Sequence, residues 1–161
     1  MFTGAPSRPP KVRKSNTVII AGGVLAGLLS IGCVAELTPP EPVTIVLANQ
    51  TGYDVRPALY VSDSAADRAT LFTGANLVTT FTDRVFPELR PGEIITLTYE
   101  CEQLSTLGVS RPRMFDAIEL DVTRSDDEIF LLREADFDCG STVRFVYFTQ
   151  AGGFHVRVEH P

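Results

Sequence analysis

Residues 142–159 read TVRFVYFTQAGGFHVRVE, two apolar-rich runs, 142–149 and 154–159, joined by Gln150-Ala151-Gly152-Gly153. In the second run Phe154, Val156 and Val158 alternate with His155, Arg157 and Glu159. A period of two is the mark of an extended strand with one face on a core and one in water. The Gly pair between the runs provides the tight turn that folds them into a hairpin. The same period governs residues 93–101, which follow the turn Arg90-Pro91-Gly92: Ile95, Leu97, Tyr99 and Cys101 share one face, and Thr96, Thr98 and Glu100 the other. Cys101 is therefore expected to point with the core.

Outward from these segments the chain continues to read as strands. Residues 43–48, VTIVLA, are β-branched and almost continuously apolar, as in a strand covered on both faces. They end at Asn49-Gln50-Thr51-Gly52, a turn signal that also matches a glycosylation sequon and places Asn49 on a surface turn. Residues 58–62 form a further strand, and SAADR at 64–68 closes one helical turn capped by Ser62 or Asp63. Short strands are expected at 71–73 and 77–82. Another spans 118–122, with Ile118, Leu120 and Val122 inward and Glu119 and Asp121 outward, and a last one covers 129–132. Eight or nine short strands with no helical pattern of useful length predict an all-β domain over 43–161. Its expected form is a small antiparallel β-sandwich, immunoglobulin-like or a related Greek key.

The N-terminus is built differently. Arg8, Lys11, Arg13 and Lys14 stand without any acid beside them, then residues 17–31 give 15 uncharged, mostly apolar residues ending at Gly32 and Cys33. A basic stretch, an apolar run and a small residue are the three parts of a secretory signal. Gly22, Gly23, Gly27 and Gly32 would each cost roughly 1 kcal/mol inside a soluble helix, and the run has no polar face, so a buried core helix is the poorer explanation. Leu29-Ser30-Ile31-Gly32-Cys33 resembles the lipobox of bacterial lipoproteins. The resemblance implies that residues 1–32 are cleaved and that Cys33 becomes the acylated N-terminus. It also implies that residues 33–42, with the proline-bearing VAELTPPEP after the cysteine, tether the domain to a membrane. Val34, in place of Asp, resembles the pattern of lipoproteins forwarded to the outer membrane. The alternative is an uncleaved anchor helix, since residues 17–35 are uncharged over nearly the ~20 residues that a span needs. Both place the protein in the cell envelope, on the periplasmic or cell-surface face.

Charge narrows the partners. The sequence holds 14 Lys and Arg against 20 Asp and Glu; with the four leader cations removed, ten Arg and no Lys face all 20 acids, for a formal net charge of −10. Such a domain is poorly suited to nucleic acid or to an anionic membrane surface, both of which attract cations. Its expected associations are the membrane, through the N-terminal lipid or helix, and an envelope protein partner. Of three cysteines, acylation of Cys33 would leave Cys101 and Cys139 as a disulfide pair in an oxidising compartment, with two buried thiols as the other arrangement.

No catalytic, metal or cofactor constellation emerges. The turns Ser125-Asp126-Asp127-Glu128 and Asp136-Phe137-Asp138-Cys139-Gly140-Ser141 carry hard oxygen ligands, but Gly140 stands where a calcium loop needs a third one. His155 and His160 lack companions at zinc-ligand spacing. Ser141 lacks a nucleophile-elbow context, and His155 is expected on an outward strand face. Glu100 and Glu102 share a strand face without a sugar platform, Trp being absent. Two classes survive: a non-catalytic envelope lipoprotein whose sandwich is an interaction or structural module, and a small-ligand or Ca²⁺-binding domain or uncharacterised hydrolase.

Overall fold

The computed structural model describes residues 39–81, 87–116 and 121–159; the leader with Cys33, as well as Ile118, Glu119, Leu120 and His160, lies outside the described residues. All the described residues fall in the compact unit Leu37–Pro161. The strands in chain order are β1 (Val43–Asn49), β2 (Asp54–Arg56), β3 (Leu59–Ser62), β4 (Ile94–Tyr99), β5 (Thr106–Ser110), β6 (Arg113–Asp116), β7 (Asp121–Arg124), β8 (Glu128–Leu132), β9 (Thr142–Gln150) and β10 (Gly153–Glu159). Among the described residues the only helical pieces are α1 (Arg68–Leu71) and a 3-10 turn at Cys101–Gln103, and no helix is long and apolar enough to cross a membrane. The fold is all-β.

One sheet has the order β10-β9-β1-β4, and two three-stranded sheets have the orders β2-β6-β7 and β3-β5-β8. Every ladder is antiparallel except β1 with β9, which run parallel. The register explains why the strands sit where they do. Across the large sheet Leu97, Ile45 and Val143 align, as do Ile95, Leu47, Phe145 and Val158, while Tyr99 faces Val43. Each row is apolar, so a slip of one residue at any strand would turn its whole set to solvent. Against this face pack Leu59, Leu107, Val109 and Leu131 from one small sheet and Val55 and Met114 from the other, in a single apolar core. Each fully buried side chain of this kind contributes roughly 1.5–3 kcal/mol. Two layers of sheet around one core make the β-sandwich.

Four expectations are corrected. The helical turn is Arg68–Leu71 rather than 64–68, and it takes in Leu71, which was expected in a strand. Its N-cap is Asp67, which accepts from the Thr70 amide at 2.9 Å, while the Thr70 hydroxyl accepts from the Asp67 amide at 3.3 Å. Asp67 and Thr70 have the three-residue spacing of a capping box, whereas the Ser62 hydroxyl accepts from Ser64 and Ala65 and merely turns the chain out of β3. Just past the helix, the Phe72 ring packs edge-on to Tyr60 at 5.2 Å and over Gly108, where a Cβ would meet it at 3.1 Å and the Ile129 carbonyl at 2.3 Å. Only glycine fits at that point of β5.

The stretch from Leu77 is not a strand within the described residues; Leu77 makes an isolated bridge to Tyr60, and Phe81 is buried as a single anchor. Val122 is 48% exposed rather than inward. It aligns with Phe115 and Asp54 on the outer face of its small sheet, because Val55 and Met114 take the core side. Asp121, expected outward, is exposed as well.

Asn49 is the fourth. It is 2% exposed, not on a surface turn. Its amide nitrogen donates to the carbonyls of Tyr53, Leu89 and Arg90 at 2.8, 3.1 and 2.9 Å, and its oxygen accepts from the Thr51 amide and hydroxyl at 2.9 and 2.8 Å. The side chain ties the end of β1 to two loops, adding a second donor to carbonyls already bonded by the Val55 and Glu93 amides and the Thr51 hydroxyl. Asn49→Asp replaces the donor with a carboxylate facing three acceptors. It should lower stability by more than about 3 kcal/mol in urea denaturation, and a loss below about 1 kcal/mol would contradict this role.

Tyr147 gives the fold a predicted alkaline limit. Its side chain is fully buried and its hydroxyl donates to the Pro57 carbonyl at 3.2 Å. Burial pushes its phenol well above the ordinary value of 10.0, and burial raises Tyr99 in the same direction. Above about pH 10 the unfolded chain releases these protons while the folded chain keeps them, so the unfolded state binds fewer protons and stability falls as pH rises. Stability should be level with respect to these groups below about pH 10 and decline above it. In Tyr147→Phe the alkaline decline should be shallower, although neutral stability drops by about 1 kcal/mol for the unpaired Pro57 carbonyl. Equal slopes for both proteins in urea titrations between pH 9 and 11 would contradict the assignment.

Candidate functional site

Cys101 and Cys139 are joined in a disulfide with a Cα separation of 5.4 Å. Cys101 leaves β4 through the 3-10 turn and is buried, and Cys139 lies exposed in the loop that enters β9. Arg133 donates to the Cys101 carbonyl from the neighbouring turn. The bond ties together the two strands that flank β1, at the end where β1 begins. With the cysteines separated by 38 positions in sequence, the chain-entropy account gives a stabilisation of ~4 kcal/mol.

The acidic turns are used locally. Asp127 accepts from the Val156 amide at 2.8 Å and lies 3.3 Å from His155 Nδ1, so its carboxylate covers a backbone N–H on the edge strand β10. His155 stands against the Phe148 ring with centroids 5.8 Å apart. Among the described residues its polar partner is Asp127, while the Ser141 hydroxyl accepts from the Asp138 amide at 3.1 Å in a different turn. Asp136 accepts from the Leu132 amide at 2.8 Å. Among the described residues no three His, Cys, Asp or Glu side chains converge as a metal would need. Glu102 lies in the 3-10 turn, so it does not share a strand face with Glu100 as expected. Cys33, the expected lipid-attachment residue, lies outside the described residues.

The most concentrated group of functional side chains is one that sequence patterning does not single out. Pairing of β2, β6 and β7 sets Arg56 opposite Arg113 and Arg113 opposite Arg124. With Arg111 they line an open cleft of about 390 Å³, whose apolar wall includes Leu77 and Val78. Arg56 pairs with Glu88 at 3.1 Å and lies over the Phe115 ring at 4.6 Å. A second cleft, of about 460 Å³, holds Tyr53 with the facing pair Asp116 and Asp121. The signal for the first cleft was present only as composition, ten Arg and no Lys after the leader; register brings Arg56 of β2 beside the β6–β7 hairpin, which lies far from it in sequence.

No protein-family description matches the chain, and no curated protein does. Among solved structures the chain is similar to the T6SS lipoprotein TssJ1 from Pseudomonas aeruginosa, at 20% identity and a TM-score of 0.41, over 76% of this chain and 99% of that one. At that identity and score the role of TssJ1 says nothing about the role of this chain.

Proposed function

We propose that the protein is an exported lipoprotein of the cell envelope, acylated at Cys33, whose β-sandwich is a non-catalytic interaction or structural module. The observation that carries this reading is the cysteine account: Cys101 and Cys139 pair with each other, and the remaining thiol, Cys33, stands at the lipobox position after a basic and apolar leader. A disulfide also suits an oxidising compartment outside the cytosol. Residues 34–42 lie between the acylated residue and the start of β1. Fully extended they span roughly 30 Å, which holds the domain clear of the headgroups. A net charge of −10 after the leader works against adhesion to anionic lipid, so covalent acyl chains supply the attachment. The non-catalytic part of the reading is supported by His155 and the acidic turns serving a strand edge and loop amides.

A test is to replace Cys33 with Ser and follow mass and membrane fractionation of the full-length chain. The wild type is expected in the membrane fraction with the mass of the cleaved, acylated form; Cys33→Ser should lose both the lipid mass and the cleavage at residue 33. An unchanged mass and unchanged processing of the membrane form would overturn the reading in favour of an uncleaved anchor helix.

A further inference from the structure

Three arginines in one cross-strand row are an unusual arrangement for this protein. Directly opposed like charges in a sheet are destabilising, yet Arg56, Arg113 and Arg124 occupy consecutive paired positions. Arg111 brings to four of ten the arginines after the leader that line one cleft. Among the described residues Arg111, Arg113 and Arg124 form no ion pair with a carboxylate, although the segment is strongly acidic as a whole.

The backbone is also held in a costly form here. Ala58 and Arg111, both lining the cleft, adopt φ of 50°, a left-handed conformation that disfavours residues other than glycine by roughly 1–2 kcal/mol. Hydrogen bonds hold both in place: the Ser110 amide donates to the Ala58 carbonyl at 3.3 Å, and the Arg111 amide to the Asp127 carbonyl at 3.0 Å. Strain of this kind, where surrounding structure maintains it, gathers at ligand sites.

We propose that the cleft lined by Arg56, Arg111, Arg113 and Arg124 is a binding site for a compact ligand that carries two or more phosphate or carboxylate groups. Guanidinium groups grip both kinds of oxyanion through paired N–H donors, and bound anions relieve the repulsion within the row. The volume is that of a small-molecule site. The ligand is compact because the rest of the domain is acidic and repels an extended polyanion. Leu77 and Val78 give its less charged portion an apolar wall. This assignment goes beyond the envelope reading and holds whether or not Cys33 is acylated.

The test is isothermal titration of the full-length chain in non-ionic detergent at fixed ionic strength. The probes are inorganic pyrophosphate, tricarballylate and glycerol phosphate, the last being the headgroup fragment of a phospholipid. Saturable binding of pyrophosphate or tricarballylate is expected, and whichever binds more tightly assigns the oxyanion class. Arg113→Gln and Arg124→Gln should each weaken it about tenfold or more. Arg144→Gln, on the outer face of the other sheet, should leave it unchanged. Thermal midpoints of the two cleft variants without ligand should equal or exceed that of the wild type, because the like-charge row is relieved, so that lost binding is not lost folding. No saturable binding by the wild type, or equal binding by Arg113→Gln, overturns the proposal. Glycerol phosphate binding as tightly as pyrophosphate overturns the requirement for two anionic groups.

Discussion

The rest of the domain depends on the insertion of β1 between β4 and β9. Val43–Asn49 is the first strand, yet its two neighbours arrive from Ile94–Tyr99 and from Thr142–Gln150. The antiparallel ladder on one side and the parallel ladder on the other put Val43, Ile45 and Leu47 in the middle of the apolar rows that make the core floor. Neither flank is local, so the chain must close long loops before these contacts form. Both ends of β1 are then fastened. The Cys101–Cys139 bond ties β4 to the entrance of β9 where β1 begins, and Asn49 draws in Tyr53, Leu89 and Arg90 where it ends.

That dependence explains which parts of the fold are legible in the sequence. Strands with a strict period of two and a buried face, such as 93–101 and 154–159, can be read because one local pattern carries the information. Cys101 is buried as expected, but it is the 3-10 turn after Tyr99, not strand alternation, that carries it. Val122 is misread because alternation gives the two faces of a strand but not which one meets the core; that depends on its pairing with β6 and, through β6, with β2 far earlier in the chain. Leu71 is misread because the Asp67–Thr70 capping box outweighs the short apolar run behind it. Asn49 is misread because a turn-forming residue type has been used as a buried hydrogen-bonding hub.

The candidate sites divide in the same way. The Cys33 reading rests on a linear signal, taken from composition and order alone. The arginine cleft has no such linear signal, because Arg56 on β2 meets Arg111, Arg113 and Arg124 of the β6–β7 segment only through strand pairing. A row of like charges beside two of the four left-handed non-glycine positions, the others being Glu134 and Ala151, conflicts with local rules that most of the described residues obey. Conflicts of that kind are where a fold departs from its own optimum for the sake of a ligand or partner. The proposed tether at one end and the proposed oxyanion cleft in the domain are compatible roles: a lipid would fix the address, and the cleft would supply a positively charged site on an otherwise acidic domain.

Held between β4 and β9, β1 should be among the last elements to open. Native-state hydrogen exchange tests it most directly, because amides that open only with the whole domain report the global stability and those that open locally report less. The amides of Ile45 and Leu47 should exchange as slowly as those of Phe145 and Tyr147 in β9, with the same dependence on added urea. Exchange at Ile45 and Leu47 that is much faster than in the β9–β10 hairpin, and insensitive to urea, would show that the domain holds together without its first strand and would contradict the account.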